Sequence, residues 1–336
     1  MENQKRIDWI DYAKALGIIL VYVGHTGIPD ELKNRIYMFH MPLFFLISGF
    51  LWNQDKYMKM PIGEFVKKKF KSYIIPYFKI GLVCLIIWGV FVNAMTLPLI
   101  EFKQALIRYV FGLCIYSRGT IEFMPHCSPI WFLTCLFCAE ILFWFVMKSS
   151  RPQIFITICI VLAIALQYSP KLYWNIDTAV TSAPFLYAGY LIRQKLCLLT
   201  DKKILTPMIV VSLYFLIRCD WWTDFDGNRY DNVILMYLSS LSISVMLLAS
   251  CYATDNFVRR YEPSKSKAIL RPVGGGILKK LGQNTLFLMG YNYTINPLAD
   301  IISLHCQYVR GFVAVLLGLS IVFVLEKFPK IKRFLI

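Results

Sequence analysis

Long apolar blocks alternate along this chain with short polar connections. A hydrocarbon core about 30 Å thick needs about 17 to 25 predominantly apolar helical residues. Ten windows approach that length: about 10–28, 38–53, 73–95, 129–148, 153–169, 179–195, 204–219, 231–253, 283–303 and 308–326. The pattern predicts an all-α polytopic membrane protein with about ten transmembrane helices. The second window is short and opens near His40 and Pro42, so a tilted or broken helix is expected there. The stretch 102–117 is amphipathic around Arg108 and reads as a helix in the membrane interface. If it spans instead, the later topology inverts. With no repeat of fixed period and no low-complexity tail, residues 1–336 are expected to form a single integral-membrane domain with no separate soluble domain.

Composition agrees: 57% of residues are hydrophobic, 17% are charged and the mean hydropathy is +0.56. A soluble domain averages about 45–50% apolar and about 25% charged. The formal charge of +16 raises nucleic acid as a partner until the charges are placed. With the N-terminus inside, inner segments hold 25 of the 36 Lys and Arg and outer segments hold 9. That bias is the positive-inside rule, so both termini are expected in the cytoplasm and nucleic acid is unnecessary. The expected site is the cell (plasma or inner) membrane, crossed many times. The first window carries Asp11 and Lys14 and lacks a small-residue cleavage site, so it reads as a retained span.

Two inner segments concentrate the basic residues. One, Lys56 to Lys71, contains Lys67, Lys68, Lys69 and Lys71; the other, Thr254 to Lys280, surrounds Gly274-Gly275-Gly276. Anionic lipid headgroups would account for either, at about 1 kcal/mol per basic residue. The ten cysteines mostly fall in or beside apolar runs and read as small buried hydrophobes. Cys135 and Cys138 have a CxxC spacing but no second ligand pair nearby, so no metal is expected.

The first window carries the most informative polar residues. An ionisable side chain inside a span costs several kcal/mol unless it pairs or lines a polar cavity. Eleven residues at about 100° each return to within roughly 20°, so Lys14 and His25 share one helix face about 16 Å apart. His25, at the outer end, is either a base shielded from bulk water or an interfacial histidine bonded to a neighbouring helix. Lys14 is either functional or simply paired with Asp11 at i, i+3. Asp8 is explained by the helix dipole. His40 enters the second span from the outer side at a similar depth, and Ser48-Gly49 reads as close helix packing. Walker, strand-preceded GxGxxG, HExxH and GxSxG signatures are all missing. Two readings remain: a membrane enzyme with a histidine base, or a secondary transporter or glycan exporter with an intramembrane polar pathway.

Several of these residues together resemble one family. Lys14, ten residues and then His25 is similar to the first-helix signature of the membrane acyltransferase-3 family, the integral-membrane sugar O-acetyltransferases. Phe39-His40-Met41-Pro42-Leu43-Phe44-Phe45-Leu46-Ile47-Ser48-Gly49-Phe50 resembles the family's second-helix pattern. Pro129-Ile130-Trp131-Phe132-Leu133 resembles its Trp-Phe-Leu motif, and Leu281-Gly282-Gln283-Asn284-Thr285-Leu286 its penultimate-helix opening. The matches run in the expected order over most of the chain.

The resemblance implies ten helices and a reaction between an acyl-CoA donor, typically acetyl-CoA, and a hydroxyl on a sugar or cell-envelope glycan, including a lipid-linked one. Acetyl-CoA would be a co-substrate, with no permanently bound cofactor. It implies His25 as base, Lys14 and Asp11 beside the donor arm, and Lys68 and Lys71 on the donor phosphates. His40, Trp131, Asn284 and Asn292 are expected around the acceptor. Three positions depart from the family's habit. Lys14 stands where arginine is usual, Lys68 and Lys71 replace an Arg-x-x-Arg pair, and Asn292 occupies a place where histidine is frequent. Lysine binds phosphate as a point charge without arginine's fork, and asparagine cannot accept a proton at neutral pH.

Overall fold

The computed structural model describes residues 6–92, 98–116, 128–218, 221–260 and 276–336. Cys127, Cys219, Lys265, Lys267, Arg271, Gly274 and Gly275 lie outside these residues. Among the described residues the structure is helical except for one antiparallel hairpin, Thr223–Asp224 paired with Arg229–Tyr230. Four helices of the described residues are long and apolar enough to cross a bilayer: Ile62–Trp88, Trp131–Lys148, Val233–Arg260 and Val309–Lys327. Most of the remaining windows form shorter helices, such as Pro152–Leu166 and the first helix, Asp8–Gly24, whereas Ile176–Gln194 is long but less apolar.

The first helix sits at the centre of the bundle. Trp9, Ile10, Ala13, Ile18, Val21 and Tyr22 are all buried, and it packs on Gly276–Gln283, Val233–Arg260 and His40–Phe50. The approach of Gly276–Gln283 is close enough that a Cβ on Gly282 would overlap the Asp11 carbonyl. By contrast, the Pro152–Leu166 helix turns Ile154, Phe155, Ile158 and Val161 outward, as a lipid-facing element must.

The second window yields an 11-residue helix, His40–Phe50. At about 1.5 Å per residue it is roughly 16 Å long, half a bilayer. It is buried on nearly every side, so it is a core element and not a complete span. Small residues fix its contact with Ile176–Gln194: a Cβ on Gly49 would strike the Leu186 carbonyl, and one on Gly189 the Leu46 carbonyl. The Ser48-Gly49 packing expected from sequence is therefore present.

Ile62–Trp88 is interrupted by a π-helical turn at Phe70–Ile74, just ahead of Pro76. A proline ring collides with the carbonyl four residues back, and a π turn relieves that clash by shifting the ladder. The stretch read as interfacial forms the helix Leu99–Ile115, with Leu99, Ile100, Ile107, Val110 and Phe111 exposed. Its last carbonyls are satisfied from outside. The Tyr77 hydroxyl reaches Leu113 O at 2.7 Å, and Trp174 gives its indole N–H to Cys114 O and its backbone N–H to Tyr116 O. The penultimate window, 283–303, is likewise not one helix. It is divided into Thr285–Gly290 and Asn292–Ile302, and Gly276–Gln283 precedes it.

Candidate active site

The C-terminal end of the first helix, termed outer after the topology expected from sequence, with the Lys14 end termed inner, opens into a cavity of about 170 Å³ whose walls include His25, Tyr37, His40, Trp131, Asp224, Asp226 and Tyr293. A second recess of about 480 Å³ adjoins it beside Gly27, Pro29, Asp30 and Lys33, and the two share His25, Tyr37 and Tyr293. His25 therefore stands where an outer vestibule meets an inner chamber.

Local sequence explains how these groups meet. After Gly24 the chain reverses at Gly27, whose φ of +75° suits a residue without Cβ. Pro29 then opens a short helix, Asp30–Tyr37, which carries Tyr37 back over the end of the first helix. His40 closes this excursion by donating from Nδ1 to the Ile36 carbonyl at 2.9 Å. The break before Asn292 brings in Tyr293 from the other side. Both hydroxyls meet one ring atom: His25 Nδ1 lies 3.2 Å from Tyr37 Oη and 3.3 Å from Tyr293 Oη. Asn296 bridges to the His25 carbonyl at 3.4 Å and to the Asn292 side chain at 3.1 Å. Burial first, and then Tyr293, Asp224 and Asp226, push the Tyr37 hydroxyl above its ordinary pKa, so it stays neutral at physiological pH.

The hairpin supplies the fourth wall. Its turn, Asp224-Phe225-Asp226-Gly227-Asn228, is closed by the Gly227 N–H on Asp224 Oδ1 at 2.9 Å, with Asn228 left-handed at φ 47°. Three residues of the neighbouring segment pin it. Asn175 donates to Asp226 O at 3.0 Å, Thr178 to Phe225 O at 3.0 Å and Thr181 to Asn228 Oδ1 at 2.9 Å.

The residues expected from sequence fall into three places. His25, His40 and Trp131 meet at the cavity, and Asn292 stands two hydrogen bonds behind it, through Asn296 to the His25 carbonyl. Lys14 and Asp11 lie at the inner end of the first helix. There Asp11 faces Lys14 at 4.0 Å and Arg6 at 3.2 Å and accepts from Gln283 at 3.3 Å. Buried Ile18, Val21 and Tyr22 fill the layer between Lys14 and His25. Asn284 belongs to this inner region and donates to the Lys280 carbonyl at 2.8 Å, so it does not line the cavity. Lys71 is exposed, and Lys68 is partly exposed with its ammonium 5.4 Å from the centre of the Tyr57 ring.

Several site groups escaped the sequence reading. Tyr37 and Tyr293 are two of 20 tyrosines and carry no local signal. Asp224 and Asp226 were marked by a turn-forming Thr-Asp-Phe-Asp-Gly-Asn run between two apolar windows. Lys69, buried against Glu140, was foreshadowed by that lone carboxylate in an apolar helix, which needed a partner. Among the described residues no group of three His, Cys, Asp or Glu is placed to hold a metal ion.

Four bilayer-length apolar helices among the described residues and a histidine held between hydroxyls define a helical membrane protein with a polar pocket. A family model described as an acyltransferase domain matches residues 7–325, and the chain belongs to this acyltransferase-3 family. It is an enzyme that transfers acyl groups, which sets aside a carrier without acyl chemistry. Among curated proteins it is similar to Nodulation protein NolL of Sinorhizobium fredii, 25% identical over an alignment of 316 residues that covers 87% of this chain and 78% of that protein. It is also similar to Nodulation protein NolL of Mesorhizobium japonicum, 23% identical over 349 residues, 96% of this chain and 86% of that one. No solved structure matches the chain.

Proposed function

We propose that this enzyme is an O-acyltransferase of the cell membrane that moves an acyl group, acetyl foremost, from cytoplasmic acyl-CoA to a hydroxyl of a cell-envelope sugar. The observation that carries this reading is His25 at the junction of two cavities with two tyrosine hydroxyls on Nδ1. A histidine acts as a base through the nitrogen that lacks a proton. If Nδ1–H donates to a tyrosine oxygen, Nε2 is the free base. The acceptor hydroxyl then gives its proton to Nε2 while its oxygen attacks the thioester carbonyl. When the tetrahedral intermediate collapses, the C–S bond breaks and the CoA sulfur takes that proton back from His25.

On the donor side, Lys68 and Lys71 hold the nucleotide phosphates, and Lys14 with Asp11 steadies the arm that carries the thioester. The basic inner segments and the shared helix face of Lys14 and His25 support that direction of approach.

The test is transfer from labelled acetyl-CoA in membranes carrying wild-type or His25→Ala protein. General-base catalysis contributes about 10² to 10⁴ in rate, and a fall of that size is expected. Undiminished transfer by a folded variant would remove His25 as the base.

A further inference from the structure

Arginines from three separate helix ends converge on a recess that acyl transfer at His25 leaves without a task. Arg6 precedes the first helix, Arg193 sits in the last turn of Ile176–Gln194 and Arg259 in the last turn of Val233–Arg260. The recess between them holds about 440 Å³ at the inner end of the bundle, where Trp9, Tyr252 and Asp255 also line it. It shares no lining residue with the cavity at His25. We propose that this recess binds a phospholipid whose headgroup carries a single negative charge, on its phosphodiester.

The balance of charge sets the charge of the ligand. Arg6 faces Asp11 at 3.2 Å and Arg259 faces Asp255 at 2.8 Å, each through Nε. Arg193 is in no ion pair among the described residues, and its guanidinium lies 5.3 Å from the centre of the Phe50 ring. One cation is left over, which suits an anion of one charge better than the several charges of a CoA. Donors are left over as well. A guanidinium has five N–H groups and a carboxylate pairs with two at most, so Arg6 and Arg259 keep donors for further oxygen atoms. Arginine's planar fork fits phosphate oxygens. Depth identifies where that phosphate comes from. The apolar run of Val233–Arg260 carries no charged residue before Asp255, so Tyr252 and Arg259 lie on the two sides of the hydrocarbon boundary. Trp9 and Tyr252, edge to face with centroids 5.3 Å apart, line the recess at that level, where aromatic rings are favoured. A lipid phosphate reaches the arginines there without leaving the membrane. Generic attraction of anionic lipid would act through any exposed cation, whereas a built site depends on Arg193 in particular. Lys195, exposed two residues further on and outside the lining, separates the two cases.

The probes are phosphatidylglycerol, phosphatidylethanolamine and phosphatidylcholine, titrated into delipidated full-length protein in detergent, with native mass spectrometry reading the bound lipid. Phosphatidylglycerol should bind at a concentration about tenfold or more below either zwitterionic lipid, the discrimination expected of a charged hydrogen bond. Arg193→Gln should weaken it about tenfold or more. Lys195→Gln removes the same charge from an exposed position and should stay within about threefold of wild type. Both side chains are exposed, and melting temperatures check that each variant folds. Free glycerol 3-phosphate and CoA, added in excess, should leave the bound phosphatidylglycerol in place. Equal affinity for the three lipids, or an equal effect of the two substitutions, overturns the proposal and leaves only generic attraction. Displacement by CoA would give the recess to the acyl donor, and displacement by glycerol 3-phosphate would give it to a soluble phosphate; either overturns the assignment to a lipid.

Discussion

At the inner end of the bundle carboxylates face cations: Asp11 meets Arg6 and Lys14, Asp8 meets Lys279, Glu140 meets Lys69 and Glu326 meets Lys280. At the outer end two histidines, two tyrosines and two aspartates line a cavity, and Lys33 borders the recess that adjoins it. Both ends hold polar groups inside an apolar bundle, which is costly unless each is satisfied. The inner end satisfies them with ion pairs that tie helix to helix. Around His25 hydrogen bonds among neutral groups and backbone stand beside the ion pairs Lys171–Asp177 and Arg310–Asp300, as His40 bonds Ile36 O and Asn296 bonds His25 O. Groups held that way keep ring nitrogens and hydroxyls facing a cavity. Ion pairs tie helices together in both halves, and the half around His25 adds neutral polar groups that face open space.

Breaking an inner pair should therefore cost stability. The most buried is Lys69 with Glu140, whose side chains are 8% and 3% exposed, with the Tyr73 hydroxyl donating to Glu140 at 2.8 Å. Removing one member leaves an uncompensated buried charge, typically destabilising by about 3–5 kcal/mol. Lys69→Met or Glu140→Leu alone should lower the melting temperature of the purified protein sharply, whereas Lys69→Met with Glu140→Leu should regain most of the loss. Single variants as stable as wild type would mean that this pair does not hold the inner half together.

Outer changes should spare stability and alter rate. Tyr37→Phe and Tyr293→Phe each remove one hydroxyl from His25 Nδ1 and leave the ring in place. One hydrogen bond to a group that gains charge during reaction corresponds to about 1.5–3 kcal/mol, so each variant should slow transfer about tenfold or more, and the pair further. The comparison needs the melting temperatures as well. If both variants melt early and retain their rate, the tyrosines belong with the structural inner contacts and not with the site.

The apolar windows made the helical membrane character legible, because burial in lipid needs unbroken apolar runs whatever the neighbours are. They did not show that His40–Phe50 is only half a bilayer long or that the penultimate window is broken at Asn284 and Tyr291, since both depend on tertiary contacts. The site was partly legible. His25, His40 and Trp131 stand out as polar or bulky residues at the ends of apolar runs, and the structure brings them together. Tyr37 and Tyr293 are 256 residues apart in sequence and meet only through the reversal at Gly27 and the helix break before Asn292. Asp224 and Asp226 escaped notice because they sit in a turn: one carboxylate closes it while both residues line the cavity.

The smallest effect is expected at the inner surface, where Lys68 and Lys71 lie outside the paired network. Lys71 is exposed and Lys68 leans over the Tyr57 ring, so neither supports the core and their loss should leave the melting temperature unchanged. If they hold the donor's phosphates, Lys68→Ala with Lys71→Ala should raise the KM for acetyl-CoA about threefold to tenfold and leave that for the acceptor alone. Screening over a Debye length of about 8 Å at physiological salt keeps such contacts modest. Added salt should reproduce the KM shift in wild type and have less effect on the double variant. Lys68→Arg with Lys71→Arg, restoring the fork that matches phosphate, should lower the donor KM below wild type. Donor KM values that ignore both the substitutions and the salt would move the phosphate site elsewhere on the inner surface and leave these two lysines as attractors of anionic lipid.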